Sequence, residues 1–196
     1  MYKRQIYVAS NSADTWQHPK LFCFDKHLKI KAVAGCPPDY FSKKGQLWGN
    51  VLYDWEAMKK DNYSWWEQRI KHSFLLYDVL RLDHFRGFAS YWAIRYGEKT
   101  AINGRWEIGP RIQFFRDLER KVKNIDIIAE DLGTLTADVF KLLRQTNYPN
   151  MKVLQFGLTE WDNMYNPKNY TENSVAYTGT HDNMSMVEWY STLNKN

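Results

Sequence analysis

Three short stretches place carboxyl groups where apolar runs stop: LRLDHFRGF (80–88), IIAEDLG (127–133) and YTGTHDN (177–183). In the first, Leu80 and Leu82 alternate with Arg81 and Asp83, so at period two both charged side chains share one face of a strand. A cation beside a carboxylate lowers its pKa, which makes the pair legible as an anchored nucleophile. Glu130 follows an apolar run, and burial would raise its pKa toward that of a proton donor working near neutrality. Retaining cleavage of a glycosidic bond uses two carboxyl groups about 5–5.5 Å apart. A third, Asp182, could stabilise positive charge on a sugar ring, with His181 beside it for sugar hydroxyls. Against this, an Asp at a strand end is more often a cap or turn former, and an Arg–Asp pair is more often structural. On residue types and spacing alone the two readings stand level.

The elements that would position these groups alternate. QIYVAS (5–10) reads as a strand, and the Gly-, Pro- and aromatic-rich 31–55 segment as a long ordered loop. Residues 62–77 carry Trp66, Ile70, Phe74 and Tyr77 at helical spacing, ahead of a strand in DVLRLDHF (78–85). Helices follow at 110–124 and 136–147, and strands at 125–133, 151–158 and 174–183. Strand and helix in alternation predict a parallel sheet with crossover helices. Polar residues gather where the strands stop: Asp83 and His84, Glu130 and Asp131, His181 and Asp182. The carboxyl ends of the strands of a (β/α)8 TIM barrel share one rim, where such groups converge. An open doubly wound sheet would carry a G-x-G-x-x-G turn, and the sequence has none. Five strand candidates are fewer than eight, and a barrel takes about 250 residues, so the expectation is an α/β fold that is an incomplete barrel. The opening MYKRQ (1–5) is expected to be a cloning or assembly artefact or tag, with residues 6–196 forming the partial catalytic domain.

The bulk numbers narrow the function classes. The 196 residues are 44% hydrophobic and 16% aromatic, enough for a packed core. Nine tryptophans exceed what such a core needs, and some are expected to serve as flat platforms for sugar or aromatic ligands. The formal charge of +5 is spread in short runs, so no nucleic-acid partner is expected. Cys23 and Cys36 lack metal-ligand spacing and read as free thiols of a reducing, cytoplasmic compartment. The histidines are scattered without H-x-x-x-H or H-E-x-x-H, so no metal is expected. No apolar run approaches the roughly 20 residues of a membrane span, and no G-x-S-x-G elbow occurs.

The motifs VAGCPPDYFSKKGQLWGN, LRLDHFRGF, IIAEDLG, MKVLQF and YTGTHDN, taken in this order, closely resemble those of the 4-α-glucanotransferases known as amylomaltases or disproportionating enzymes, glycoside hydrolase family 77 of the α-amylase clan. The resemblance extends over nearly the whole chain after residue 5, with these motifs spread from residue 33 to residue 183. The resemblance implies Asp83 as catalytic nucleophile, Glu130 as general acid/base and Asp182 as transition-state stabiliser, with Arg81 and His181 orienting substrate. It implies that the loop carrying Asp39, Tyr40, Phe41, Gln46, Trp48 and Asn50, within residues 34–55, overhangs the site and touches glucan. SADTW (12–16) matches a further motif near the third barrel strand and adds Asp14 to the substrate-binding positions. By this alignment the chain spans barrel strands three to seven. The implied reaction is double displacement between maltooligosaccharides, including starch- or glycogen-derived glucans, without metal or organic cofactor. Tyr40, Phe41 and Trp48 would stack on sugar and exclude water, favouring transfer over hydrolysis.

The sequence departs from the family pattern at Asn11, where an acid is usual, at Cys36 for valine, and at Val51 and Arg95 for prolines. None of these is one of the three carboxylates, so the departures bear on loop shape and acceptor preference. The rival readings are a hydrolase of the same clan and a glucan-binding fragment without catalysis.

Overall fold

The structure is a computed structural model, and it describes residues 1–39, 42–158 and 163–193. Among these residues the strands are β1 (Tyr2–Arg4), β2 (Ala32–Cys36), β3 (Gln46–Val51), β4 (Leu80–Leu82), β5 (Ser90–Arg95), β6 (Arg105–Ile108), β7 (Ile127–Ala129), β8 (Asn150–Val153) and β9 (Ser174–Tyr177). The helices are α1 (Ala13–Gln17), α2 (Trp55–Lys60), α3 (Ser64–Phe74), α4 (Arg111–Lys121), α5 (Ala137–Thr146), α6 (Leu154–Gly157) and α7 (Met186–Thr192).

Two sheets result. The first is parallel throughout, in the order β1-β4-β7-β8-β9. Its central strands β4 and β7 are buried at every position, as parallel strands under crossover helices are, while the outer strands β1 and β9 are half-buried to exposed. This is the α/β arrangement the alternation predicted. The strands are shorter than their apolar runs suggested. His84 takes a left-handed conformation (φ +50, ψ +50) and ends β4, and Leu154–Gly157 continues β8 as a helical turn rather than as strand.

The first strand lies earlier than expected, at Tyr2–Arg4, paired in parallel with Leu80–Leu82. Ile6, Tyr7 and Val8, read from sequence as strand, are instead buried in irregular backbone. A ladder is made by N–H and C=O groups and is indifferent to side-chain identity, so hydrophobic pattern alone did not find this register.

The second sheet is antiparallel, in the order β3-β2-β5-β6. It corrects the expectation that 31–55 is loop throughout: β2 and β3 lie within that segment. Gly35 marks the close approach that made the segment look irregular. A Cβ there would collide with the Gln46 carbonyl oxygen and the Ile94 side chain, so only glycine lets the strands meet.

The core between sheet and helices is aromatic. Trp66 is fully buried and meets Trp55, Trp65, Phe88 and Phe114 at ring-centroid distances of 5.4–6.4 Å. Phe85, Phe114 and Phe115 extend the cluster toward Tyr148. Part of the tryptophan excess is therefore packing: Trp55, Trp65 and Trp66 belong to the core. On α3, Trp66 and Ile70 are buried as predicted. Tyr77 lies beyond the helix end and stacks on Tyr2 with centroids 4.5 Å apart.

Candidate active site

Asp83 follows β4 and Glu130 follows β7, neighbouring parallel strands, so both carboxyl groups leave the same end of the sheet. Asp182 lies beyond β9 in a turn where Asn183 Oδ1 accepts from the Thr180 amide and hydroxyl. All three line one cavity of about 310 Å³. Arg81, His181, Asp39, Gln46 and Trp48 line it too. Asn50 lies in an adjoining pocket with Trp48 and Asp83, its amide donating to the Val8 carbonyl. Asp14 is not among the cavity residues; it sits in the first turn of α1 and accepts from Trp65 Nε1 at 3.2 Å. Tyr40 and Phe41 lie outside the described residues.

Among the described residues Glu130 is held by backbone amides. Its Oε2 accepts from the His84 amide at 2.6 Å and its Oε1 from the Leu132 amide at 2.9 Å. The Phe85 amide donates to the Glu130 carbonyl at 2.8 Å. The left-handed turn at His84, an uncommon conformation for a non-glycine residue, is what aims two successive N–H groups of the Asp83 strand at Glu130. Burial and the nearby Asp83 charge raise the Glu130 pKa to about 7, against the two amides that favour the ionised form. Desolvation outweighs hydrogen bonding at this carboxyl.

Asp83 is held differently from the expectation. Among the described residues its ion pair is with Lys3, at 3.3 Å, and no contact joins it to Arg81. The two residues share a face, but the Arg81 side chain runs across the sheet toward Met151 on β8, while Asp83 stands beyond the strand end. Arg81 is buried, with Nη1 3.9 Å from the Met151 sulfur and Nε without a partner. Lys3 Nζ also lies 3.2 Å from His181 Nε2, and that nitrogen is 3.4 Å from Asp182.

Several cavity residues had no role in the sequence reading. His84 was visible only as a polar strand-end residue. Its half-buried ring lies edge-on against Trp48, centroids 4.7 Å apart, and desolvation with the Arg86 charge lowers its pKa to about 3, so the imidazole is neutral. Arg86 and Trp106 also line the cavity. Trp106 lies on β6, far from the motifs in sequence, and nothing in its neighbours distinguishes it. Cys36, noted as a departure, faces the cavity too; burial pushes its thiol up to about 11. No group of three or more His, Cys, Asp or Glu residues suited to a metal ion occurs among the described residues, and no helix among them is long and apolar enough to cross a membrane.

The parallel sheet with an acidic cleft at its carboxyl ends defines an α/β protein of the kind whose chemistry sits on the strand-end rim. A family model described as 4-alpha-glucanotransferase, glycoside hydrolase family 77, matches residues 5–196, and the chain belongs to that family. A 4-alpha-glucanotransferase of Clostridium butyricum is 50% identical over 187 residues, 94% of this chain and 38% of that protein. The chloroplastic/amyloplastic 4-alpha-glucanotransferase of Solanum tuberosum is 48% identical over 96% of this chain and 33% of its own length. Among solved structures, the amylomaltase from Streptococcus agalactiae in complex with acarbose superposes with a TM-score of 0.94 at 40% identity, over 98% of this chain and 39% of that one. The chain thus spans less than two-fifths of the length of these relatives.

Proposed function

We propose that this chain carries the catalytic centre of a 4-α-glucanotransferase that moves α-1,4-glucan segments between maltooligosaccharides with retention. The observation that carries the reading is the meeting of Asp83, Glu130 and Asp182, from the ends of three parallel strands, in one cavity. Asp83 attacks the anomeric carbon as the glycosidic C–O bond breaks, and Glu130 gives its proton to the departing oxygen. Asp182 faces the positive charge that builds on the ring. The 4-hydroxyl of a second glucan then attacks the anomeric carbon, Glu130 takes its proton, and the ester to Asp83 breaks. One feature supports these roles: Glu130 has a pKa raised to about 7, as an acid that must later serve as base requires.

In the same reading Arg81, His181 and the 34–55 overhang orient glucan, no metal or organic cofactor takes part, and the setting is cytoplasmic. The five parallel strands are strands three to seven of a (β/α)8 barrel.

The test uses the full-length product of the parent gene with maltotriose, following the product ladder and total reducing ends. Longer glucans plus glucose at constant reducing ends support the transferase. Rising reducing ends without longer products would replace it by a hydrolase of the same clan.

A further inference from the structure

The antiparallel sheet lies across the cleft with a tryptophan on each of its edge strands, Trp48 on β3 and Trp106 on β6. Both line the cavity that holds the three carboxylates. Three inter-strand spacings separate the two edges, about 14 Å, so the indoles stand at opposite ends of the site rather than side by side. We propose that Trp106 is a sugar platform on the acceptor side of the scissile bond, its plane set by Arg86. This rests on the reading of Glu130 as acid/base given above.

The argument for a platform is geometric. Trp106 is 41% exposed, yet its ring is not free to turn. The Arg86 guanidinium lies 4.0 Å from its centroid, and the opposing Trp92 packs edge-on at 5.1 Å in direct cross-strand register. Arg86 is in turn 3% exposed and fixed by bonds to the Thr134 carbonyl and to Ser90 Oγ, the latter at 3.1 Å. A buried cation stacked on one side of an indole holds it flat, and the exposed remainder of the ring lines the cavity. Large aromatic surface held rigid toward a cleft is suited to stacking on a sugar, because little side-chain freedom is lost on binding.

The side follows from the connection to Glu130. The proton donor stands on the leaving-group side of the bond, and that position is later taken by the acceptor. Arg86 reaches Thr134, in the segment that runs on from Glu130 through Leu132 and Gly133, and these residues line the cavity with Trp106. Trp48 packs on His84, whose amide also holds Glu130, but it lines a second pocket with Asp83 that neither Glu130 nor Trp106 borders.

The experiment uses the full-length product and α-maltosyl fluoride as donor, with maltose as acceptor. Fluoride as leaving group occupies no acceptor position, and its release is followed in the first turnover, before any acceptor is needed to clear the ester, so it reports formation of the glycosyl-enzyme, while transfer reports the acceptor side. For Trp106→Ala the maltose concentration giving half-maximal transfer is expected to rise about tenfold, with fluoride release reduced at most about twofold. Trp106→Phe, which keeps a ring against Trp92, is expected to fall between, and decides the matter if the alanine variant does not fold. An unchanged acceptor dependence in the phenylalanine and alanine variants overturns the platform. So does a fall in fluoride release that matches the loss of transfer, which would make Trp106 a packing residue. Failure of the underlying reading shows separately, as wild-type protein that hydrolyses the fluoride without making any transfer product.

Discussion

Replacing Glu130 by glutamine tests the site through two independent readouts. A shift from the ordinary 4.5 to about 7 corresponds to about 3 kcal/mol in favour of the protonated folded form. The sign follows from proton counting. Between these pH values the folded chain keeps a proton that the unfolded chain has lost, so stability falls as pH rises. The contribution is complete below about pH 4.5, declines through the window and is gone above about pH 7. The substituted glutamine cannot titrate, and its amide NH2 leaves one of the His84 and Leu132 amides without an acceptor, at a cost of about 1–3 kcal/mol at all pH values. The variant is therefore expected to be less stable than wild type at pH 4.5 and to close that gap by about 3 kcal/mol toward pH 8. Urea midpoints of the full-length protein across that range measure the gap. In parallel, kcat/KM for maltotriose in wild type should fall above about pH 7, as the donor loses its proton. Glu130→Gln should be nearly inactive on maltotriose while still releasing fluoride from a glycosyl fluoride, which needs no proton. Parallel urea curves for the two proteins across pH 4.5–8, together with a flat wild-type rate profile through pH 7, would refute the reasoning.

Asp83→Asn should lower kcat at least about 10⁴-fold with little change in KM, since it removes the nucleophile and not a binding contact; steady-state kinetics on maltotriose check this. Asp131→Ala should destabilise by about 1–3 kcal/mol, read from the urea midpoint, because the buried carboxylate accepts from the Met151 amide at 2.9 Å and from Asn150 Nδ2 at 3.1 Å. Trp66→Ala should cost about 3–5 kcal/mol by the same measurement, as a fully buried indole in the centre of the aromatic cluster leaves a cavity its stiff neighbours cannot fill.

Pattern placed the candidate carboxylates but did not single them out. The segments around Leu80–Leu82 and Ile127–Ala129 read as strands of a parallel sheet, with Asp83 and Glu130 at their ends, yet a strand-end acid is as readily a cap or turn former, and it was the motif resemblance that favoured chemistry. Their anchoring was not legible. Period two put Arg81 and Asp83 on one face, but sharing a face says nothing about contact, and the hold on Glu130 is main-chain N–H from a left-handed turn at His84. No side-chain pattern announces that. Asp14 shows the converse: a motif match placed it with the substrate, while the structure gives its carboxylate to the Trp65 indole.

The antiparallel sheet stayed hidden for a different reason. β2 pairs with β5 across the whole of α2, α3 and β4, and such pairing is decided by which segments the parallel strands bring together, not by local propensity. Its outer strands β3 and β6 are mostly exposed, so they lack the clean apolar alternation that marks a half-buried strand. That same exposure is what makes the sheet useful. A strand pair laid over a cleft must leave side chains uncovered on the side that meets substrate, and Gln46, Trp48 and Trp106 are exposed residues of these strands that line the cavity. The part of the fold hardest to read from sequence is thus the part that walls the site, because burial, the strongest signal in a sequence, is what a binding wall must give up.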